Sequence, residues 1–343
     1  MQSHHPKSYM AAQICHKGGK LEMKDVDWKE PRKGEIVVKV IACGVARSDR
    51  ITQDQLLDGI KYPRTPSHEF VGEICAIGDD VKHLKMKDMV AGSWHGGHCN
   101  TCTPCRAGDL ACCREREING VTRDGGMAEY VCIRSEACIM VPKSMDPAEM
   151  TALLCHGATI FNSLNTMCVS PGELVGIHGA GGLGKLACDM SRCMGYRTVL
   201  IGEGDQLKRE MNLGSQSFID CLKMDVAKEL MQMGGAKVIL CCLPESKHIP
   251  SFIQGLQANG QLCLTTMGHD PRCDMPIAPL IMRRRTLLGC PPPTPLQVED
   301  CLRFCKMHDI RVKVNKMPLK ECNKAWEEVG NPDSMRKPVL MMD

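Results

Sequence analysis

The run LVGIH (174–178) passes directly into HGAGGLGK (178–185), and helical spacing takes over at once in LGKLACDMSRCM (183–194). No other part of the chain constrains its fold as strongly. Gly179, Gly181 and Gly184 satisfy G-x-G-x-x-G between an apolar strand and a helix. The first glycine permits a tight turn, and the second lets backbone approach a pyrophosphate. The third lets helix and strand pack closely, with the anion on the helix N-terminus. Gly182 and Leu183 belong to the same turn. A lone motif of this kind is weak, because glycine-rich turns are common. Here strand, turn, helix and a second strand, TVLIG (198–202), follow in order, which predicts a dinucleotide cradle rather than a plain turn.

The alternation continues through SFID (217–220), KVILCC (237–242), QLCLTTM (261–267) and TLLG (286–289) as strands, with DVAKELMQM (225–233) and IPSFIQGLQ (249–257) as helices. Residues 155–295 therefore read as an α/β domain, a Rossmann-type doubly wound parallel sheet of six strands. Residues 1–154 are different: GEIVVKVIAC (34–43), EFVGEICAIG (69–78) and GGMAEYVCI (125–133) are extended, roughly alternating and closed by turn residues. They predict a partly open antiparallel β-barrel. PPPTP (291–295) punctuates the chain, and residues 296–343 supply a helix, VEDCLRFCKMH (298–308), and a last strand, KPVLMM (337–342). Composition alone assigns this segment to neither domain.

Glu203 follows the second strand of the cofactor domain, where an acid takes the adenosine ribose hydroxyls. With Asp205 it would repel a 2′-phosphate and favour NAD(H) over NADP(H). Lys208 and Arg209 follow closely and could reverse that preference; the bland alternative makes all four a solvated loop.

The net charge of +3 over 343 residues and the absence of basic runs with interleaved aromatics argue against nucleic acid. No apolar stretch reaches the ~18 residues of a membrane span. Twenty-four methionines against 3 Trp, 4 Tyr and 5 Phe suggest that Met fills the core where aromatics ordinarily would. The 23 cysteines are an odd count, and the N-terminus MQSHHPKSYM lacks an apolar signal region. The expectation is a cytoplasmic protein with reduced thiols, most of them buried as small hydrophobes. Those of GGHCNTCTPCRAGDLACC (96–113) differ: Cys99, Cys102, Cys105 and Cys113 have the C-x₂-C-x₂-C-x₇-C spacing that wraps one tetrahedral Zn²⁺. Four thiolates leave no open position, so this lobe would stabilise structure and the chemistry must lie elsewhere.

Taken together, CGVARSD (43–49), SHEFVG (67–72), the four lobe cysteines, DGGMAEY (124–130), LLCHGATIFNSL (153–164) and GAGGLG (179–184) resemble the zinc-containing medium-chain alcohol dehydrogenases, nearest the yeast-type and cinnamyl-alcohol-type branch. The likeness extends over nearly the whole chain. It implies a GroES-like catalytic domain, a Rossmann cofactor domain with the active site in the cleft between them, and a final segment returning to the catalytic domain. It also implies a small-molecule alcohol or carbonyl substrate and a homo-oligomer, dimer or tetramer. A second, catalytic zinc is held in that family by a Cys after Gly-Val, the His of a His-Glu pair and a Cys in an L-C-x-G stretch. His68 and Cys155 match, and Glu69 completes the pair, but Ala46 stands where the first cysteine belongs.

Glu69 could replace the missing thiolate, because His68, Glu69 and Cys155 carry the same total charge as the usual set. Adjacent residues on an extended strand face opposite ways, so His68 and Glu69 can both serve only where the backbone bends. Cys43 and His156 are alternative donors. The resemblance gives Ser48 the hydroxyl that receives the substrate proton, makes Asp49 the group orienting His68, and gives Arg47 the pyrophosphate. Ile51 occupies a position where some members carry a relay histidine. Three readings follow: an NAD(P)(H)-dependent oxidoreductase with an altered zinc site; a reductase of conjugated or iminium substrates without catalytic zinc; and a non-enzymatic dinucleotide-binding protein.

Overall fold

The computed structural model describes residues 5–179, 181–204, 217–242, 246–266, 272–329 and 336–342. They divide into two compact units. The first comprises Met1–Ala158, Pro292–Lys306 and Arg311–Asp343; the second comprises Thr159–Pro291 and Met307–Ile310.

The first unit begins with an antiparallel pair, β1 (Ser8–Ile14) and β2 (Leu21–Asp27). Then come β3 (Glu35–Gly44), β4 (Phe70–Ile77), β5 (Met89–Gly92), β6 (His95–Gly97), β7 (Glu117–Ile118), β8 (Tyr130–Arg134) and β9 (Ile139–Met140). The second unit contributes β10 (Leu174–His178), β11 (Arg197–Gly202), β12 (Phe218–Asp220), β13 (Ala236–Cys241), β14 (Leu256–Leu264) and β15 (Thr286–Gly289). The chain returns to the first unit for β16 (Val314–Pro318) and β17 (Lys337–Met341).

The main sheet of the first unit has the order β16-β17-β3-β4-β5-β9, with β8 also paired to β3. Val38, Val40, Phe70, Ile74, Ile133 and Leu340 are fully or almost fully buried in its core. Its pairs are antiparallel except β16 and β17, which run parallel. An antiparallel sheet throughout was the expectation from sequence. The helix Cys322–Glu328 between β16 and β17 makes their connection a crossover, which brings the second strand back in the same direction.

All six strands of the second unit are parallel, in the order β12-β11-β10-β13-β14-β15. This is the doubly wound arrangement, with the direction of strand addition reversing between β10 and β13. The strands read as near-continuous apolar runs because both faces are covered; all five residues of β10 are buried. Helices Gly182–Cys193, Val226–Gln232 and Ile249–Gly255 supply the covering faces, with Leu230, Phe252 and Ile253 fully buried. No helix of the described residues is long and apolar enough to cross a membrane.

Candidate functional site

The lobe at 99–113 is built from short turns. Asn100 adopts φ +62, a one-turn helix covers Thr103–Arg106, and a 3₁₀ turn at Leu110–Cys112 brings Cys113 back. One donor atom from each of Cys99, Cys102, Cys105 and Cys113 lies within 4.8 Å of the others. Backbone N–H groups of Cys102, Cys99 and Glu115 point at sulfur at 3.4 Å, as they would to stabilise thiolates. The Thr101 hydroxyl and the Cys102 N–H hold the Cys99 thiol at a pKa of about 6. Cys105 is pushed up to about 12 by desolvation and by the sulfurs of Cys113 and Cys102. Such crowding keeps the thiols from all ionising together unless a cation neutralises them, and a divalent tetrahedral ion fits this donor set.

The second cluster is buried. Ser67 takes φ +74, so the chain turns sharply just before His68, and β4 begins only at Phe70. A Cβ on Gly125 would lie 1.8 Å from the Ser67 carbonyl oxygen, so only glycine lets the DGGMAEY segment brace this turn. Cys155 is carried on one π-helical turn, Leu153–Gly157, which feeds the helix Ala158–Thr166. The donor atoms of His68, Glu69 and Cys155 all fall within 4.8 Å of one another. Ligands bonded at about 2.0–2.3 Å to one ion are at most about 4–4.6 Å apart, so small movements would seat a cation among them.

Around this cluster each predicted residue has a definite place. Asp49 Oδ2 accepts the Ala46 N–H at 2.8 Å, and its Oδ1 lies 3.2 Å from His68 Nδ1. The Ser48 hydroxyl is 3.5 Å from His68 Nε2. Arg47 is exposed on the same 3₁₀ turn. Burial opposes charge on His68, but the Cys155 sulfur and Asp49 outweigh it and raise its pKa well above the ordinary value. Burial likewise disfavours the Glu69 carboxylate, yet Lys337 at 2.5 Å, His156 and His68 hold its pKa near 2. His156 Nδ1 is 3.9 Å from Glu69 Oε1. Cys43 falls outside the cluster: its buried thiol points to the Gly44 carbonyl at 3.7 Å, and burial raises its pKa.

In the second unit, Gly179 and Gly181 take φ +132 and +115. A Cβ on Gly184 would approach the Gly179 carbonyl oxygen to 1.6 Å, so the helix Gly182–Cys193 seats on the turn only with glycine there. Glu203 directly follows β11 and is paired with Lys247 at 2.7 Å and His248 at 2.9 Å. Asp205, Lys208 and Arg209 lie outside the described residues.

Residues 32–143 match the alcohol dehydrogenase GroES-like domain family. The chain is 35% identical to alcohol dehydrogenase patD of Penicillium expansum over 100% of both chains. It is 32% identical to alcohol dehydrogenase notN of an Aspergillus species, over 98% of this chain and 99% of that one. The alcohol dehydrogenase of the archaeon Aeropyrum pernix superposes with a TM-score of 0.85 at 24% identity, covering 97% and 99% of the two chains, a likeness of fold. This protein belongs to the zinc-containing medium-chain alcohol dehydrogenase family. It is an enzyme, an oxidoreductase of the medium-chain type.

As a medium-chain dehydrogenase it departs from the family pattern at Ala46, which is buried, and at Ile51, which packs with Ile60, Ile118 and Val121. Four site neighbours escaped sequence reasoning. Lys337 comes from the last strand, and only the fold brings it to Glu69. Trp94 stacks edge-on against His68 with ring centroids 5.0 Å apart. Lys247 and His248 reach Glu203 from beyond β13. A lysine opening the final strand was the one available sequence signal among these, and it carries no pattern by itself.

Proposed function

We propose that this protein interconverts an alcohol and an aldehyde or ketone using NAD(P)(H), at a metal site whose donors are His68, Glu69 and Cys155. The observation that carries this reading is the buried convergence of those three side chains, with Asp49 and Ser48 attached to the same histidine. A zinc ion bound there would supply Lewis acidity to the substrate oxygen, and a nicotinamide dinucleotide would supply or accept the hydride. The chain's own residues do the rest. Asp49, anchored by the Ala46 N–H, fixes the His68 ring through Nδ1 and leaves Nε2 towards the cluster. The Ser48 hydroxyl both donates and accepts, so it can pass a proton to or from the substrate oxygen. Cys99, Cys102, Cys105 and Cys113 hold a separate structural zinc. Gly179, Gly181 and Gly184 shape the pyrophosphate cradle, Gly182 and Leu183 open its helix, and Arg47 supplies charge. Glu203 takes the ribose hydroxyls, which favours NAD(H). The chain assembles as a homo-oligomer, dimer or tetramer, and works in the cytosol, a compartment suited to 23 cysteines of which none is disulfide-bonded.

One observation favours a second reading. Lys337 already neutralises Glu69, so the carboxylate is committed in part to an ion pair. A protein with only the lobe zinc would suit conjugated or iminium substrates, which need less oxygen polarisation. Zinc analysis of purified protein, followed by NADH oxidation with a panel of aldehydes and enals, separates the two. Two zinc ions per chain and turnover of saturated aldehydes are expected. One zinc ion, with turnover confined to enals or iminium compounds, would overturn the altered-site reading.

A further inference from the structure

Outside both clusters, two thiols approach each other at the carboxyl edge of the parallel sheet. Cys263 is the penultimate residue of β14, and Cys290 directly follows β15. The Cys290 N–H donates to the Leu264 carbonyl at 2.9 Å, which extends the ladder by one step and turns the two side chains to the same face. Their sulfurs are 2.8 Å apart. Closing to a disulfide needs a movement of about 0.8 Å, since a formed bond measures about 2.05 Å. We propose that Cys263 and Cys290 are a redox-active dithiol that closes to a disulfide under peroxide and reopens with thiol reductants.

The surroundings suit the chemistry. Cys263 is fully buried, whereas Cys290 is half-buried and reachable. The Cys263 thiol and the Ser163 hydroxyl hydrogen-bond to the Cys290 sulfur and lower its pKa, which makes Cys290 the attacking thiolate. Its sulfur attacks one peroxide oxygen; the O–O bond breaks, leaving a sulfenic acid, and the departing hydroxide takes up a proton to become water. The Cys263 sulfur then attacks the sulfenic sulfur, forming S–S as the second oxygen leaves with protons as water. Overall, two thiols and one hydrogen peroxide give one disulfide and two waters. Ligands of doubly wound sheets lie outside the carboxyl ends of the strands. β14 and β15 belong to the half of the sheet opposite the ribose-binding Glu203, so the disulfide would reshape the nicotinamide half. That consequence rests on the dinucleotide reading; the disulfide itself does not.

The test treats the zinc-loaded protein with graded hydrogen peroxide, alkylates remaining thiols, maps peptides by mass, and titrates NADH by fluorescence before and after. The expected result is a Cys263–Cys290 linked peptide at peroxide levels that leave the four lobe cysteines intact. It should disappear with dithiothreitol and be absent in Cys290→Ser and in Cys263→Ala, and closure should weaken NADH binding at least threefold. A map showing Cys290 overoxidised without a link, or Cys263 joined first to neighbouring Cys242, overturns the proposal. Failure of the dinucleotide reading is a different result: the fully reduced protein takes up no NADH, whatever the peptide map shows.

Discussion

His178 ends β10 almost completely buried, with Nδ1 at 3.2 Å from the Cys241 sulfur and its ring 4.7 Å from that of Phe252. Burial, reinforced by His248, drops its pKa from 6.5 to about 3. The folded protein therefore keeps this ring neutral while the unfolded chain protonates it near 6.5. Stability contributed above pH 6.5 is lost progressively as pH falls towards 3, at about 1.4 kcal/mol per pH unit. Between pH 7.5 and 5, urea unfolding of the native protein should lose about 2 kcal/mol more than that of His178→Phe; equal losses would contradict this assignment. His95, lowered to about 4 with burial first among the causes, acts in the same direction but in both proteins. Ala46 raises the converse question, of a missing group. The turn that carries it is intact, since Asp49 still accepts its N–H. Ala46→Cys should thus add a thiolate beside the existing donors and tighten zinc at the second site by on the order of tenfold or more. Competition with a chromophoric chelator measures this, and unchanged affinity would show that position 46 does not face the metal.

At the level of elements, the sequence was most legible where local pattern and burial agree. TLLG (286–289) coincides with β15, and the helix read at 183–194 runs over Gly182–Cys193. Both are fixed by short apolar runs and glycine stops, which act locally. β14 starts at Leu256, ahead of QLCLTTM, because the helix Ile249–Gly255 ends straight into extended chain that pairs Leu256 with Ala236 before a register break. The meeting of His68 with Glu69 was legible only as a condition. The bend that satisfies it depends on the positive φ of Ser67 and on the contact with Gly125, a non-local fact that no periodicity encodes. The π turn holding Cys155 was likewise invisible, since one extra residue in a helical turn leaves the apolar spacing almost unchanged. The glycine turn offers the sharpest test at this scale. Gly184→Ala forces a methyl group to within 1.6 Å of the Gly179 carbonyl unless helix and strand separate. Loss of NADH affinity on the order of a hundredfold is expected by fluorescence titration, with zinc content unchanged because the donors belong to the other unit. Undiminished affinity would remove the cradle from the cofactor site.

On the scale of the whole molecule, the parallel sheet of the second unit has β15 as one of its edges among the described residues. The described strand order stops at β15, and among the described residues no strand pairs with its outer edge, a feature that monomeric proteins usually manage explicitly. Leu287 on β15 is partly exposed, and the preceding helix Ile277–Arg283 shows Ile277, Ile281 and Met282 at 66%, 70% and 81% exposure. An edge strand flanked by three exposed apolar side chains has the makings of a self-complementary surface. Two copies related by a two-fold axis can pair their edges antiparallel and cover each other's helices. The protein should therefore run as a dimer or a dimer-based tetramer in sedimentation velocity. Ile281→Asp combined with Leu287→Lys should shift it to monomer at micromolar concentration, because two charges would enter the apolar contact without partners. The zinc donors belong to the other unit, so zinc content should stay constant, and a variant that sediments unchanged would show that the copies meet elsewhere or not at all.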